Sequence, residues 1–265
     1  MEIFGGSGRV AACRLKYIRR LFERHTSTSH LIYSDRMIVP IATQEDWRSI
    51  FLAARPWTPP CTRTVVIAPH PDDESLAVGG LIAAITSAGA GVQVLAVTDG
   101  ENAYAGETGF GRIRVQEQQR ALQALGVNSS EIFRLGLPDS GVAAHEPELT
   151  DSIRSLVTPD THVIAPWPGD FHPDHESCGR AAMLAADYTG ATVTFYFFWT
   201  WHRGTPSLLR NLPLLRFELS VDQQRAKAQA ICCHESQLVH SSCQPILPDS
   251  LLWPARQPFE VFLPK

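Results

Sequence analysis

The 265-residue sequence has little net charge, no long apolar stretch and no closely paired cysteines, and each of these features excludes a class of protein. Its net charge is only −4, which gives no indication of a nucleic-acid partner. No apolar stretch approaches the roughly 18 residues that a membrane-spanning helix needs, so we expect no integral membrane segment. The six cysteines form no Cys-x-x-Cys pair, and no secretory signal precedes them, which favours reduced thiols and a cytoplasmic protein.

Positive charge is concentrated at the N-terminus. Residues 1–24 contain six lysine and arginine residues but only two glutamates. Residues 14–24 are compatible with a short basic helix that makes peripheral contact with a membrane or an acidic partner, and a solvated extension is the alternative. We predict that residues 1–60 form a basic N-terminal extension and linker and that residues 61–265 form the functional domain. The sequence gives no indication of oligomeric state.

From residue 64 onward, strand patterns alternate with helix patterns. Apolar, β-branched runs predict strands over residues 64–68, 92–98, 131–135, 162–166 and 192–201. Helices are predicted over residues 74–88, 113–125, 147–157, 174–187 and 221–233, before a proline-rich tail. This alternation is typical of a Rossmann-like, three-layer α/β fold with a mainly parallel sheet.

Two of these strands lead into clusters of histidine and carboxylate. The first segment (residues 69–74) is Pro-His-Pro-Asp-Asp-Glu, and the second segment (residues 170–175) is Asp-Phe-His-Pro-Asp-His. The carboxyl ends of parallel strands share one edge of a sheet, where ligands usually bind. Two histidines and one carboxylate are a sufficient ligand set for a catalytic zinc ion, which keeps a position for water. The sequence therefore predicts a metal site at the C-terminal ends of the strands.

Residue types alone leave the roles within this site open. Asp72 and Asp73 are neighbours on a turn, so one can bind the metal while the other takes a proton from water. His172 and His175 are three residues apart, so one can bind the metal while the other faces the substrate. Asp174 is placed to orient the non-ligating imidazole and to keep it protonated.

Two other interpretations of the same residues exist. The first segment on its own is compatible with a helix N-cap, in which Asp72 or Asp73 accepts backbone N–H groups. The presence of a second, similar segment after another strand argues against this interpretation. A facial-triad iron site made of His70, Asp72 and His175 has suitable ligand types. The alternation of helix and strand argues against the β-rich fold on which such iron sites generally occur.

The two segments resemble those of the PIG-L (LmbE-like) zinc-dependent N-acetylglucosaminyl deacetylases. The resemblance covers about residues 64–240 and includes further motifs in the same order and spacing. These are Thr98-Asp99-Gly100-Glu101, Arg114-x-x-Glu117, Leu135-Gly136-Leu137-Pro138-Asp139, Lys227-x-x-Ala230 and Ser236-Gln237. The resemblance implies a hydrolase that removes an N-acetyl or other N-acyl group from a small-molecule amino-sugar conjugate, and it makes residues 61–265 a deacetylase domain.

The resemblance also implies a role for each site residue. The metal ligands would be His70, Asp73 and His175, holding Zn²⁺ or, as the alternative, Fe²⁺. Asp72 would be the general base, and His172, supported by Asp174, would stabilise the oxyanion or act as an acid. Arg114 and Asp139 would bind the sugar, and His202, after the aromatic run, is a further candidate for lining the sugar pocket.

One position departs from the pattern. Some relatives carry a tyrosine two residues before the first histidine of the second segment, where this chain has Asp170. A contact from a tyrosine hydroxyl must therefore be absent or supplied elsewhere. Two functional alternatives remain: a non-catalytic member that only binds sugar or metal, and a hydrolase that acts on another amide or an acyl ester.

Overall fold

A mixed sheet organises the chain in the computed structural model, which describes residues 40–60, 62–104, 106–240 and 244–265. The strands are β1 (Arg55–Pro56), β2 (Thr64–Ala68), β3 (Val92–Thr98), β4 (Ile132–Leu137), β5 (His162–Pro166), β6 (Thr192–Tyr196), β7 (Leu215–Glu218) and β8 (Phe259–Pro264). Their order across the sheet is β1-β7-β8-β6-β5-β2-β3-β4. All neighbouring pairs in this sheet are parallel except those that β8 makes with β6 and β7. The mainly parallel sheet is confirmed.

Helices cover both faces of the sheet. They are α1 (Gln44–Ala53), α2 (Asp73–Ser87), α3 (Phe110–Ala124), α4 (Glu146–Leu156), α5 (Pro173–Thr189), α6 (Thr200–Arg203), α7 (Pro206–Leu209), α8 (Val221–Cys232), α9 (Glu235–Leu238) and α10 (Asp249–Leu252). Alternate residues of β2 point into different cores. Val65 and Ile67 join the core under α1, α4 and α5, whereas Val66 and Ala68 join the core under α2, α3 and α8. The result is the three-layer arrangement that the sequence predicts.

The C-terminal half differs from the prediction in two places. The strand predicted over residues 192–201 ends at Tyr196, and the proline-rich tail, for which no element is predicted, contributes β8. The first difference has a local cause: the backbone N–H groups of residues 198–200 donate to the Asp170 carboxylate, not to a neighbouring strand. The second difference arises because β8 lies between β6 and β7 in the sheet. The short sequence of β8 gives no indication of these partners, which are distant in the chain.

The stretch before residue 61 contains regular structure that packs on the sheet. Thr43 and Asp46 form a reciprocal capping box that begins α1. On the buried side of α1, Trp47 has no exposed surface, and its indole donates to the carbonyl of Trp201 at 3.1 Å. The division at residue 61 stays a prediction, and we propose to include residues 43–57 in the domain. The predicted basic helix lies outside the described residues.

No helix in the described ranges is both long and apolar enough to cross a bilayer.

Candidate metal centre

Neighbouring strands bring the two segments together. β2 pairs in parallel with β5, in a register that places Val66 opposite Ile164, so the segments after both strands emerge at the same edge of the sheet. The first segment turns directly into α2, which begins at Asp73. The second segment turns into α5, for which His172 is the N-cap residue. The predicted convergence of residues about a hundred positions apart therefore results from the β2–β5 pairing.

At the centre of this edge, one carboxylate lies between two imidazoles. Asp73 Oδ2 is 3.3 Å from Nδ1 of His70 and 3.2 Å from Nε2 of His175. Ligand atoms from these three buried residues all lie within 4.8 Å of one another. His175 Nε2 is buried without a hydrogen bond of acceptable geometry. This donor set matches the two-histidine, one-carboxylate ligation of catalytic zinc, so the residues fit a divalent metal ion.

A second group shares His70 and adds His172 and Asp174, again within 4.8 Å. Its carboxylate is already engaged by the backbone. Asp174 Oδ2 accepts from the Ser140 N–H at 2.8 Å, and Oδ1 accepts from the Val142 N–H at 3.2 Å. Asp174 Oδ2 is also 3.1 Å from Nε2 of His70. These contacts make Asp174 a partner that orients His70, and they favour the Asp73 group as the ligand set.

The electrostatics of the centre favour positive charge. Burial opposes the charged form of both imidazoles, but the surrounding carboxylates more than offset it: the pKa of His70 lies well above its usual value, and that of His175 rises to about 9. Burial also opposes ionisation of Asp73, yet the His175 and His70 charges hold the pKa of Asp73 below its usual range. The carboxylates that favour the protonated imidazoles would equally favour a bound cation at this centre.

Asp72 faces a different set of partners. Arg114 Nη2 lies 3.3 Å from Asp72 Oδ2, and the same guanidinium donates to the carbonyl of Gly100 and to Gln237 Oε1. Burial raises the pKa of Asp72 to about 6, with Arg114 acting in the opposite direction. Arg114 was predicted to bind the sugar, but it is only 3% exposed, and in this structure its contacts position the carboxylate of Asp72. Gly100 adopts a positive φ of 63°, and a Cβ there would lie 1.9 Å from Arg114 Nη1.

His172 is arranged as a neutral imidazole. The backbone N–H of Asp174 donates to Nδ1 of His172 at 3.2 Å, which leaves the ring proton on Nε2. Burial, reinforced by the charges of His70 and His175, holds the pKa of His172 well below its usual value. The predicted support from Asp174 is therefore different in kind. Its side chain contacts His70, while its backbone fixes the tautomer of His172 and does not keep that ring protonated.

Of the two remaining predicted residues, Asp139 lies at the centre, whereas His202 is buried among aromatic rings beside it. Asp139 Oδ1 lies 3.3 Å from His70 Nε2, and Asp139 Oδ2 accepts from the Asn102 N–H, so Asp139 lies at the centre and contacts the same nitrogen as Asp174. Burial raises the pKa of Asp139, but His70 more than offsets this, and the net shift is downward. His202 is fully buried among the rings of Phe198, Trp199 and Trp253. Burial lowers the pKa of His202 to about 4, and the residue has no exposed surface with which to line a pocket.

Sequence reasoning missed two features of the site. The Trp199 ring lies nearly parallel to His172, with ring centroids 5.8 Å apart. Gln237 has no predicted role in the site, but its Oε1 accepts from Arg114 and its Nε2 donates to the Pro71 carbonyl at 2.6 Å. The Ser236-Gln237 motif was the available signal for Gln237. Nothing in the sequence indicates that the strand would end at Tyr196 and that the following turn would place Trp199 beside His172.

Comparisons with known proteins find similarity to deacetylases. The profile of the family described as "PIG-L: GlcNAc-PI de-N-acetylase" matches residues 65–186. A probable N-acetyl-alpha-D-glucosaminyl L-malate deacetylase 2 of Bacillus subtilis (strain 168) is 31% identical over 132 residues, 46% of this chain and 59% of that protein. A 1D-myo-inositol 2-acetamido-2-deoxy-alpha-D-glucopyranoside deacetylase of Mycobacterium sp. (strain KMS) is 31% identical over 169 residues, 52% of this chain and 54% of that protein.

A solved structure supports the fold. A triple mutant of a deacetylase involved in the teicoplanin biosynthetic pathway is 23% identical and superposes with a TM-score of 0.61, over 77% of this chain and 97% of that one. The matched segments span little more than half the length of the two relatives above. The family match extends from β2 through most of α5 and includes both segments of the centre. Residues 65–186 are therefore similar to the PIG-L family.

Proposed function

We propose that this protein is a metal-dependent hydrolase that removes the N-acetyl group of an N-acetylglucosamine-containing small molecule. The observation that carries the proposal is the cluster of His70, Asp73 and His175 with a further carboxylate, Asp72, adjacent in the chain. The relatives, named as deacetylases of N-acetylglucosaminyl compounds, supply the reaction class. We infer a cytoplasmic enzyme from the spacing of the cysteines in the sequence, which includes no Cys-x-x-Cys pair.

The metal would be held by His70, Asp73 and His175. Zn²⁺ is our proposal for its identity, with Fe²⁺ as the alternative that uses the same ligand types. When bound, such an ion polarises the amide carbonyl and increases the acidity of a coordinated water. Asp139 and Asp174, which both contact His70 Nε2, would fix that ring so that Nδ1 faces the ion.

Proton movement would be the task of Asp72. Its carboxylate is buried and is held by Arg114, so it has a fixed direction from which to take the proton of the attacking water. The same group can then deliver that proton to the leaving amine, which carries away the electron pair of the broken C–N bond. Arg114 and Gln237 position this carboxylate and do not touch the reacting atoms.

The developing oxyanion would receive a hydrogen bond from His172. Because Nδ1 of His172 accepts from the Asp174 N–H, the neutral ring carries its proton on Nε2 and is a donor without being an imidazolium. Trp199 is buried between His172 and the Arg203 guanidinium, so it would hold the His172 ring in this orientation. We infer that the sugar is bound beside His172 and that Arg114 and Asp139 act on it only indirectly.

The test is acetate release from a panel of N-acetylglucosamine derivatives, including its malate and inositol glycosides. Protein stripped of metal by a chelator is assayed before and after Zn²⁺ or Fe²⁺ is restored, with Asp72→Ala as the control. We expect release that requires metal and is lost in the control. If acetate release is absent while another acyl donor is cleaved, the substrate class is wrong. Stoichiometric metal with no turnover on any donor favours the binding-only alternative.

A further inference from the structure

Asp170, the first residue of the second segment, is a fully buried carboxylate surrounded by donors. His175 Nδ1 lies 2.9 Å from Oδ2. The backbone N–H groups of Phe198, Trp199 and Thr200 donate to the two oxygens at 2.9–3.2 Å, and the Thr200 hydroxyl donates at 2.6 Å. A carboxylate with donors on both oxygens acts only as an acceptor. Asp170 is therefore a hydrogen-bonding hub between a histidine of the centre and the chain after β6.

The contact with His175 determines which ring nitrogen is available for a metal. Since Asp170 Oδ2 accepts, His175 Nδ1 carries a hydrogen, and the lone pair of the neutral ring is on Nε2. That nitrogen is the one that lies 3.2 Å from Asp73 Oδ2. A carboxylate or carbonyl behind a ligating histidine commonly fixes the tautomer and the ring direction in this way.

The other contacts of Asp170 shape the turn that carries Trp199. Because the N–H groups of residues 198–200 donate to this carboxylate, β6 ends early and the chain turns into α6. Trp199 is thereby placed against His172. One carboxylate thus contacts a candidate metal ligand and fixes the backbone beside the candidate oxyanion donor.

The second segment is also held at the residue after Asp170. Phe171 has a φ of 60°, a left-handed conformation that is unfavourable for a residue with a side chain. Its carbonyl accepts from Arg203 Nη1 at 2.7 Å, and its N–H donates to Glu176 Oε1 at 3.2 Å. The guanidinium of Arg203 also lies 4.1 Å from the centroid of the Trp199 ring. The turn from Asp170 to His172 is therefore fixed from both sides.

We propose that Asp170 is a positioning residue that aims His175 Nε2 at the metal through its contact with His175 Nδ1. The inference rests on the proposed role of His175 as a metal ligand. It also accounts for the position at which some relatives carry a tyrosine. Here the side chain is directed inward, behind the metal ligands, and supplies no substrate contact.

The test compares Asp170→Asn with Thr200→Val in the full chain. The first replaces one acceptor oxygen by a donor nitrogen that faces N–H groups, while the second removes a donor to Asp170 but leaves His175 untouched. Affinity for Zn²⁺ is measured by competition with a chromophoric chelator. We expect about 10–100-fold weaker binding for Asp170→Asn and a change below about threefold for Thr200→Val. The visible spectrum of bound Co²⁺ should shift only in Asp170→Asn.

Unchanged Zn²⁺ affinity and an unchanged Co²⁺ spectrum in a folded Asp170→Asn protein would overturn the inference. If that variant does not fold, the inference is tested on the unmodified protein by determining which nitrogen of His175 carries the proton. In ¹⁵N-histidine-labelled, Zn²⁺-loaded protein, a protonated Nδ1 on His175 supports the proposal, and an unprotonated Nδ1 overturns it. Failure of the unmodified protein to bind Zn²⁺ at all would instead contradict the proposed function, so the two failures are distinguishable.

Discussion

The first and second segments have similar compositions but use their carboxylates differently. In the first, Asp73 lies between two imidazoles at the centre, and Asp72 faces the Arg114 guanidinium. In the second, Asp170 and Asp174 accept backbone N–H groups and contact the histidines from outside. The second segment supplies His172 and His175 to the centre, and its carboxylates orient one imidazole of each segment, His175 and His70. Adjacent His and Asp residues after a strand therefore do not imply equivalent chemical roles.

The largest expected effect comes from the first segment. Replacing Asp72 by Asn removes the proposed base and keeps the side-chain volume, so we expect kcat/KM for deacetylation to fall by about 100–10,000-fold. The bound metal per chain, measured by atomic emission on the same samples, should not change. Activity within tenfold of the unmodified protein would remove Asp72 from the proton path.

The matching change in the second segment should act on metal binding. Asp174→Asn weakens the acceptor behind His70 Nε2, and we expect Zn²⁺ affinity to fall about 10–100-fold, with activity recovering at saturating metal. Asp151→Asn, at an exposed site on α4, is the matched control. A loss of kcat that excess Zn²⁺ does not restore would show that Asp174 takes part in the chemical step.

A smaller effect is expected where the first segment meets α3. Arg114→Lys retains the positive charge but cannot contact Gly100, Asp72 and Gln237 together, so we expect kcat to decrease about tenfold with little change in KM. The exposed neighbour provides the control variant, Arg112→Lys. A rise in KM at constant kcat would instead return Arg114 to the sugar-binding role that the sequence predicts.

The last expected effect is on folding stability rather than on activity, and it concerns the opposite end of β5. His162 is buried, its Nε2 pairs with the Thr194 hydroxyl at 2.9 Å, and burial lowers its pKa to about 4. Because the unfolded chain takes up this proton near pH 6.5 and the folded chain does not, stability is full above pH 6.5 and decreases as the pH falls toward 4. The loss amounts to about 3 kcal/mol.

We expect His162→Gln to reduce this acid sensitivity. The free energy of unfolding, measured by urea titration between pH 7 and pH 4, should decrease less steeply with falling pH in the variant. His145→Gln, at a more exposed histidine, should behave like the unmodified protein. Identical pH dependence in all three proteins would exclude His162 as the source of the effect.

Much of the fold could be predicted from the sequence because the strands of the parallel core are short apolar runs separated by periodic helices. Strands β2, β3 and β5 have the predicted bounds. The early end of β6 and the insertion of β8 depend on partners distant in the chain, such as Asp170, that no local pattern specifies.

The site shows the same division between local and distant information. The two segments meet because parallel strands share an edge, and the structure brings them together as expected. Which way a carboxylate points depends on the donors around it. Asp174 faces the N–H groups of Ser140 and Val142, and Arg114 reaches Gln237, contacts that span 32 to 123 positions. Sequence spacing therefore located the centre without assigning each side chain its partner.

The most direct test of the central claim is the Zn²⁺ stoichiometry and affinity of the purified chain with one ligand removed from each segment. We predict one ion per chain in the unmodified protein and a loss of high-affinity binding in both His70→Ala and His175→Ala, while His172→Ala still binds one ion. If either segment alone retained full affinity, or if His172→Ala lost the ion while His175→Ala kept it, the proposed ligand set would be contradicted.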